Sequence, residues 1–183
     1  MKKHTRIALI LAAAAFSLPL SASADAYMIA GIGQASTNTA TLTQNSSVAA
    51  ELGWGSKKNM NFAIEGGVAF LGSRVSMNGA KDTLDAIYFD TVGILPVEQF
   101  VDVEMPLEFT ARLGIAYTQA RGSVAGASAN AARVGATYGL GAQYALDENM
   151  AVRLQWSRYK FGDNLNYPSK WEDVLTIGVN YGF

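Results

Sequence analysis

Apolar and polar residues alternate with a period of two through most of the chain. From Val134 the apolar set runs Val134, Ala136, Tyr138, Leu140, Ala142, Tyr144 and Leu146, while Arg133, Gly135, Thr137, Gly139, Gly141 and Gln143 fall between. A helix would scatter both sets around its circumference, so the separation predicts a strand. Met105, Leu107, Phe109, Ala111, Leu113, Ile115 and Tyr117 oppose Glu108, Thr110, Arg112 and Gly114 in the same way. So do Phe62, Ile64, Val68 and Phe70 against Asn61, Glu65 and Gly67, and Val48, Ala50, Leu52 and Trp54 against Glu51, Gly53 and Gly55. Met150, Val152, Leu154 and Trp156 oppose Arg153, Gln155 and Ser157, and Leu175, Ile177, Val179, Tyr181 and Phe183 oppose Thr176, Gly178, Asn180 and Gly182.

Two further stretches are strands of looser register. In 27–35, Met28, Ala30 and Ile32 are placed outward with Gly31 and Gly33 inward; in 85–96 both faces are apolar except at Asp90, which is placed inward. The count is eight: 27–35, 47–56, 60–72, 85–96, 103–119, 132–146, 149–161 and 173–183. Short polar links near 56–59 and 147–149, and a longer one at 97–102, alternate with larger segments at 36–46, 73–84, 120–131 and 162–172. Short turns at one rim and long loops at the other predict an all-β fold, an eight-stranded antiparallel up-and-down transmembrane β-barrel.

The direction of the apolar face follows from the polar one. A soluble barrel would show water a face rich in Lys, Glu and Asp, but charged residues are only 16% of this chain and gather in the connections. The opposing face is mostly glycine, alanine and threonine with isolated ions, which suits a narrow lumen, so the large hydrophobes are expected to meet lipid. Trp54, Phe62, Tyr144, Tyr181 and Phe183 fall near strand ends and read as an interfacial aromatic girdle.

The start of the chain has another character. Lys2, Lys3 and Arg6 precede an apolar run from Ile7 to Leu20 and then Ser21-Ala22-Ser23-Ala24, the pattern of a cleaved secretory signal peptide over 1–24, leaving the barrel domain at 25–183. Cleavage leaves 11 Lys and Arg against 15 Asp and Glu. That modest acidic balance, without a basic stripe, gives no footprint for nucleic acid. The sequence has no cysteine, and its one histidine, His4, falls in the leader. The expected mature chain therefore lacks Ser-His and Cys-His pairs, imidazole bases and His or Cys metal sites, and neither an enzyme nor a cofactor is expected.

The inward ions Glu51, Glu65, Arg112, Arg133 and Arg153 are the candidate functional set. Unpaired, each would be costly in a narrow lumen, so a carboxylate–arginine network filling the barrel is expected; the alternative is a gate or selectivity ring in a small pore. Arg158 and Lys160 continue the outward face above Trp156, where they either meet lipid phosphates or are solvated beyond an early strand end.

The stretches GWGSKKNMNFAIEGGVAFLG, AARVGATYGLGAQYALDENMAVRLQWSRY and LTIGVNYGF resemble the OmpA-like family of eight-stranded outer membrane barrels. The resemblance covers the whole expected mature chain, without the peptidoglycan-binding domain that follows some members. It implies a Gram-negative outer membrane, contact with its lipid and lipopolysaccharide, and a final strand read by the barrel-assembly machinery through Val179, Tyr181 and Phe183. A structural or surface-interaction role is expected. A small-solute channel, or an adhesin binding a host surface ligand through loops that include Tyr167, Pro168 and Trp171, are the alternatives.

Overall fold

The computed structural model describes residues 25–37, 42–76, 81–101, 105–124, 127–161 and 171–183. The predicted leader and the loop residues Tyr167 and Pro168 lie outside these. The strands are β1 (Ala26–Ser36), β2 (Leu42–Gln44), β3 (Ser46–Asn59), β4 (Phe62–Ser76), β5 (Lys81–Pro96), β6 (Leu107–Val124), β7 (Ala127–Ala145), β8 (Met150–Lys160) and β9 (Trp171–Gly182). Apart from β2, a three-residue strand on β4, each pairs antiparallel with its sequence neighbour, and β9 pairs with β1. The sheet thus closes as an eight-stranded up-and-down barrel with no edge. Register follows the alternation: Ile32 lies opposite Ile177, and Leu140 opposite Trp156.

Turn chemistry sets the tight ends. Asn59 Oδ1 accepts from the Asn61 backbone N–H at 2.9 Å, and Asp147 Oδ1 accepts from those of Asn149 and Met150 at 2.8 Å. Both side chains substitute for a missing ladder partner where the chain reverses. The predicted 103–119 strand begins later, at Leu107, because Pro106 has no N–H to give; its carbonyl still accepts from Ala145.

At the other rim the predicted loops 73–84 and 120–131 are largely strand. β4 and β5 pair as far as Val75 opposite Lys81, and β6 and β7 as far as Val124 opposite Ala127. β8 stops at Lys160, so the β4–β7 wall runs on past the described part of its neighbour.

The large hydrophobes point outward: Val48 is 79% exposed, Leu140 62% and Ile177 56%. Asp90 is fully buried on the inner face, and Met28, Ala30 and Ile32 face out. One expectation needs enlarging. The interior is not only small and ionic, since Leu71, Leu84, Tyr88, Tyr159, Phe161 and Val174 form a buried cluster there. Ala35, Ala49, Ala69, Ala86, Ala116 and Ala120 on the surrounding strands leave room for them. The apolar inner face of β5 made its two sides hard to tell apart by alternation alone.

Candidate functional site: the ion-filled lumen and the closing strand

Among the described residues, four groups of paired charges occupy the lumen, from the turn end to the loop end. Nearest the turns, Lys57 Nζ lies 3.3 Å from Glu108 Oε1, and Glu108 also accepts from Gln143, whose Oε1 takes a 2.8 Å bond from Asn180. Above them Arg153 grips Glu65 at two points, Nη1 to Oε1 at 2.7 Å and Nη2 to Oε2 at 3.0 Å. The Tyr27 hydroxyl donates to the same carboxylate at 2.7 Å, and Gln155 Oε1 accepts from Arg153 at 2.8 Å.

In the middle of the barrel Arg112 takes two carboxylates. Its Nε donates to Asp90 at 2.5 Å, and its Nη1 to Glu51 at 3.1 Å and to Ser157 at 3.3 Å. The guanidinium also lies over the Tyr88 ring, 4.4 Å from its centroid. That ring fits because Gly53 and Gly67 face it; a Cβ on either would come within 2.6 or 2.7 Å of the Tyr88 hydroxyl. Towards the loop end fully buried Arg74 pairs with fully buried Glu172 and donates to Ser47 and to the Leu71 carbonyl.

This is how buried charge is tolerated. Taking an ion from water costs several kcal/mol, and only a partner with good geometry and further hydrogen bonds offsets that. Planar guanidinium forks supply both here, which lysine would not. Four of the five sequence-predicted ions, Glu51, Glu65, Arg112 and Arg153, are buried in this array, although Glu51 and Glu65 serve different arginines.

Arg133 is a correction. It lies on the inward-facing side of β7, opposite buried Thr118, but it is exposed rather than buried in the lumen. The pairing of β7 with β8 begins only at Thr137, so at the height of Arg133 the described β8 offers no opposing wall.

Arg74 and Glu172 were missed because both fell in segments read as loops. A bulge explains the first: Gly72 has φ 73° and the β4–β5 register slips between Phe70 and Ser73, so inward parity passes from Ser73 to Arg74. An isolated glycine before an arginine in an alternating run was the available signal. Tyr27, Tyr88 and Gln155 were missed because nothing in their spacing distinguishes a network member from a wall residue.

A pocket of about 370 Å³ opens at the turn end and reaches Tyr27, Gln143 and Asn180. It stops below the Arg153–Glu65 pair, where Glu65 is 1% and Arg153 4% exposed. Among the described residues no group of three His, Cys, Asp or Glu side chains could hold a metal ion.

Val179 and Tyr181 on β9 and Phe183 just beyond its end are all exposed, in one outward row. Tyr181 and Phe183 meet edge to face at 5.6 Å, and Tyr181 lies opposite Met28 on one side and Met150 on the other. The Phe183 backbone N–H still bonds to the Ala26 carbonyl at 3.0 Å, so the ladder is closed to its last residue. A second aromatic group sits near the loop end, where Tyr138 meets Trp156 at 6.0 Å and Trp171 at 5.6 Å, both edge to face.

The profile of the outer membrane protein beta-barrel domain family matches residues 8–183. The chain belongs to that family. Among solved structures, Neisserial surface protein A superposes with a TM-score of 0.66 at 14% identity, over 86% of this chain and 97% of that one. The N-terminal β-barrel domain of Pseudomonas aeruginosa OprF gives 0.58 at 13% identity, over 87% and 98%. Ail, the attachment invasion locus protein of Yersinia pestis, solved with the heparin analogue sucrose octasulfate, gives 0.55 at 15%, over 87% and 99%. At these identities the likeness is one of fold. No curated protein matches the sequence significantly. For a member of the outer membrane protein beta-barrel domain family, the two aromatic groups at opposite ends of an apolar wall are the expected lipid-facing arrangement.

Proposed function

We propose that the protein is an integral barrel of the Gram-negative outer membrane, closed to solutes, whose role is structural and interactive at the cell surface. The observation that carries this reading is the packed lumen: two arginine–carboxylate groups and an apolar cluster separate the turn-end pocket from the loop end. In this reading the turn end and both termini face the periplasm, and β9 enters the assembly machinery through Val179, Tyr181 and Phe183. The small-solute channel is the less favoured alternative, because an eight-stranded barrel is narrow enough for side chains to fill. The test is planar-bilayer recording on the refolded protein. The expected result is no conductance step; a stable open level that falls on Glu51→Ala or Arg153→Ala would overturn the proposal in favour of a pore.

An adhesive role is the second reading, and the β4–β7 wall favours it, since β4–β5 and β6–β7 remain paired strand far into the segments at the loop end. Exchange of 120–131 for a glycine-serine linker would then abolish binding to host cells while the barrel still folds.

A further inference from the structure

Just above the lipid-facing wall, on the outward side of β8, two cations stand in register. Arg158 and Lys160 alternate with inward Ser157 and Tyr159, so they share one face, about 7 Å apart along the strand. Directly below them on that face are Trp156 and, across on β9, Leu175; directly beside them on β9 are Asp173 and Trp171. In the outer-membrane placement proposed above, this row falls at the boundary between hydrocarbon and headgroups.

Each cation rests on a tryptophan. The Arg158 guanidinium lies 5.4 Å from the centre of the Trp156 ring, and the Lys160 ammonium 5.6 Å from that of Trp171. Tyr138 on β7 packs edge to face with both indoles, making one aromatic floor across three strands. Asp173 is the facing carboxylate: it accepts from Arg158 Nε at 2.6 Å and from Nη2 at 2.7 Å. That two-point contact fixes the guanidinium plane and leaves Nη1 with only a 3.4 Å contact to the Tyr138 hydroxyl. Lys160 has no carboxylate partner among the described residues. Arg158 Nη1, held only by that long bond, and Lys160 Nζ, over Trp171, are the donors without a carboxylate among the described residues, and the two cations with Asp173 leave the patch one net positive charge.

We propose that this patch is a binding site for the phosphate group of an outer-leaflet lipid. A phosphate between Nη1 and Nζ would accept from both, replacing the water each loses at the membrane boundary. The indole and phenol rings beneath would pack against the sugar and the first acyl methylenes of the same molecule. The occupant is a lipid anion rather than a free one because the site lies on the outer wall of the barrel, one row above Trp156 and Leu175, where headgroups are the anions at hand. Lipid A, with its two phosphomonoesters, has the required chemistry. The inference rests on the outer-membrane placement proposed above.

The test is native mass spectrometry of the full barrel, purified in detergent, incubated with bisphosphorylated lipid A and then washed. The expected result is retention of the bisphosphorylated form and not of its dephosphorylated counterpart. Retention should fall severalfold in Lys160→Gln and tenfold or more in Arg158→Gln/Lys160→Gln, and should persist or rise in Asp173→Asn. Heat-modifiable gel migration reports folding for every variant. If Arg158→Gln does not fold, Lys160→Gln alone carries the test, since it breaks no ion pair. Equal retention by the double variant, or equal retention of the dephosphorylated lipid, would overturn the proposal. Displacement by millimolar inorganic phosphate would overturn the assignment to a lipid. None of these substitutions touches the lumen, so bilayer conductance judges the proposed function separately.

Discussion

Arg153 and Glu65 come from opposite walls of the barrel, β8 and β4, and meet in a two-point contact of 2.7 and 3.0 Å with almost no exposure to solvent. The strands that carry them are not neighbours, so the pair is a strut across the lumen rather than a rung within the sheet.

Removing one end of that strut leaves an uncompensated buried charge. Arg153→Met is expected to cost about 3 to 5 kcal/mol in urea unfolding from lipid vesicles, while Glu65→Leu/Arg153→Met recovers most of the loss. Additive losses in the double variant would contradict the assignment of the two residues to one pair.

Gly72 is the pivot that turns Arg74 inward. Its φ of 73° and a Cβ that would come within 2.5 Å of Ser47 Oγ make Gly72→Ala unfavourable twice over. A loss of about 1 to 3 kcal/mol is expected by the same unfolding assay. Gly93→Ala serves as the control, since its Cβ would meet nothing closer than 3.8 Å.

Leu140 lies on the outward face of β7 between Tyr138 and Tyr144, at the depth where hydrocarbon is expected. Leu140→Arg should cost about 2 to 4 kcal/mol and Leu146→Arg, in the turn beyond Tyr144, about 0 to 1 kcal/mol. Comparable costs at the two positions would mean that the wall does not face lipid.

Phe183 contributes one aromatic contact and one backbone hydrogen bond to the finished barrel. Phe183→Ala should therefore refold in detergent nearly as well as the parent chain, yet accumulate poorly in the outer membrane of cells. Heat-modifiable migration after each route checks this; equal yields by both would remove the proposed assembly role of Val179, Tyr181 and Phe183.

The period-two signal carried strand count, order and facing because each depends only on a residue and its immediate neighbours. Asp90 could be placed inward on that ground alone. Depth along the barrel axis is a different quantity, set by how far each neighbouring strand extends. Arg133 shows the consequence: its parity matches that of Thr137, but the described β8 ends before reaching its height. Arg74 shows the other limit, because a single inserted residue at Gly72 reverses parity without changing composition. Which carboxylate meets which arginine was equally illegible. Glu51 and Glu65 lie on adjacent strands, and only the stagger of the closed sheet sends one to Arg112 and the other to Arg153.

The absence of cysteine makes the central claim directly measurable, since single-cysteine spin labels at Leu140, Leu154 and Ile177 would have no background. In lipid vesicles, electron paramagnetic resonance should find these labels mobile, readily relaxed by oxygen dissolved in the acyl chains and shielded from a water-soluble nickel complex. Labels that are immobile and reached by neither relaxant would put those side chains in a packed interior and contradict a barrel solvated by lipid.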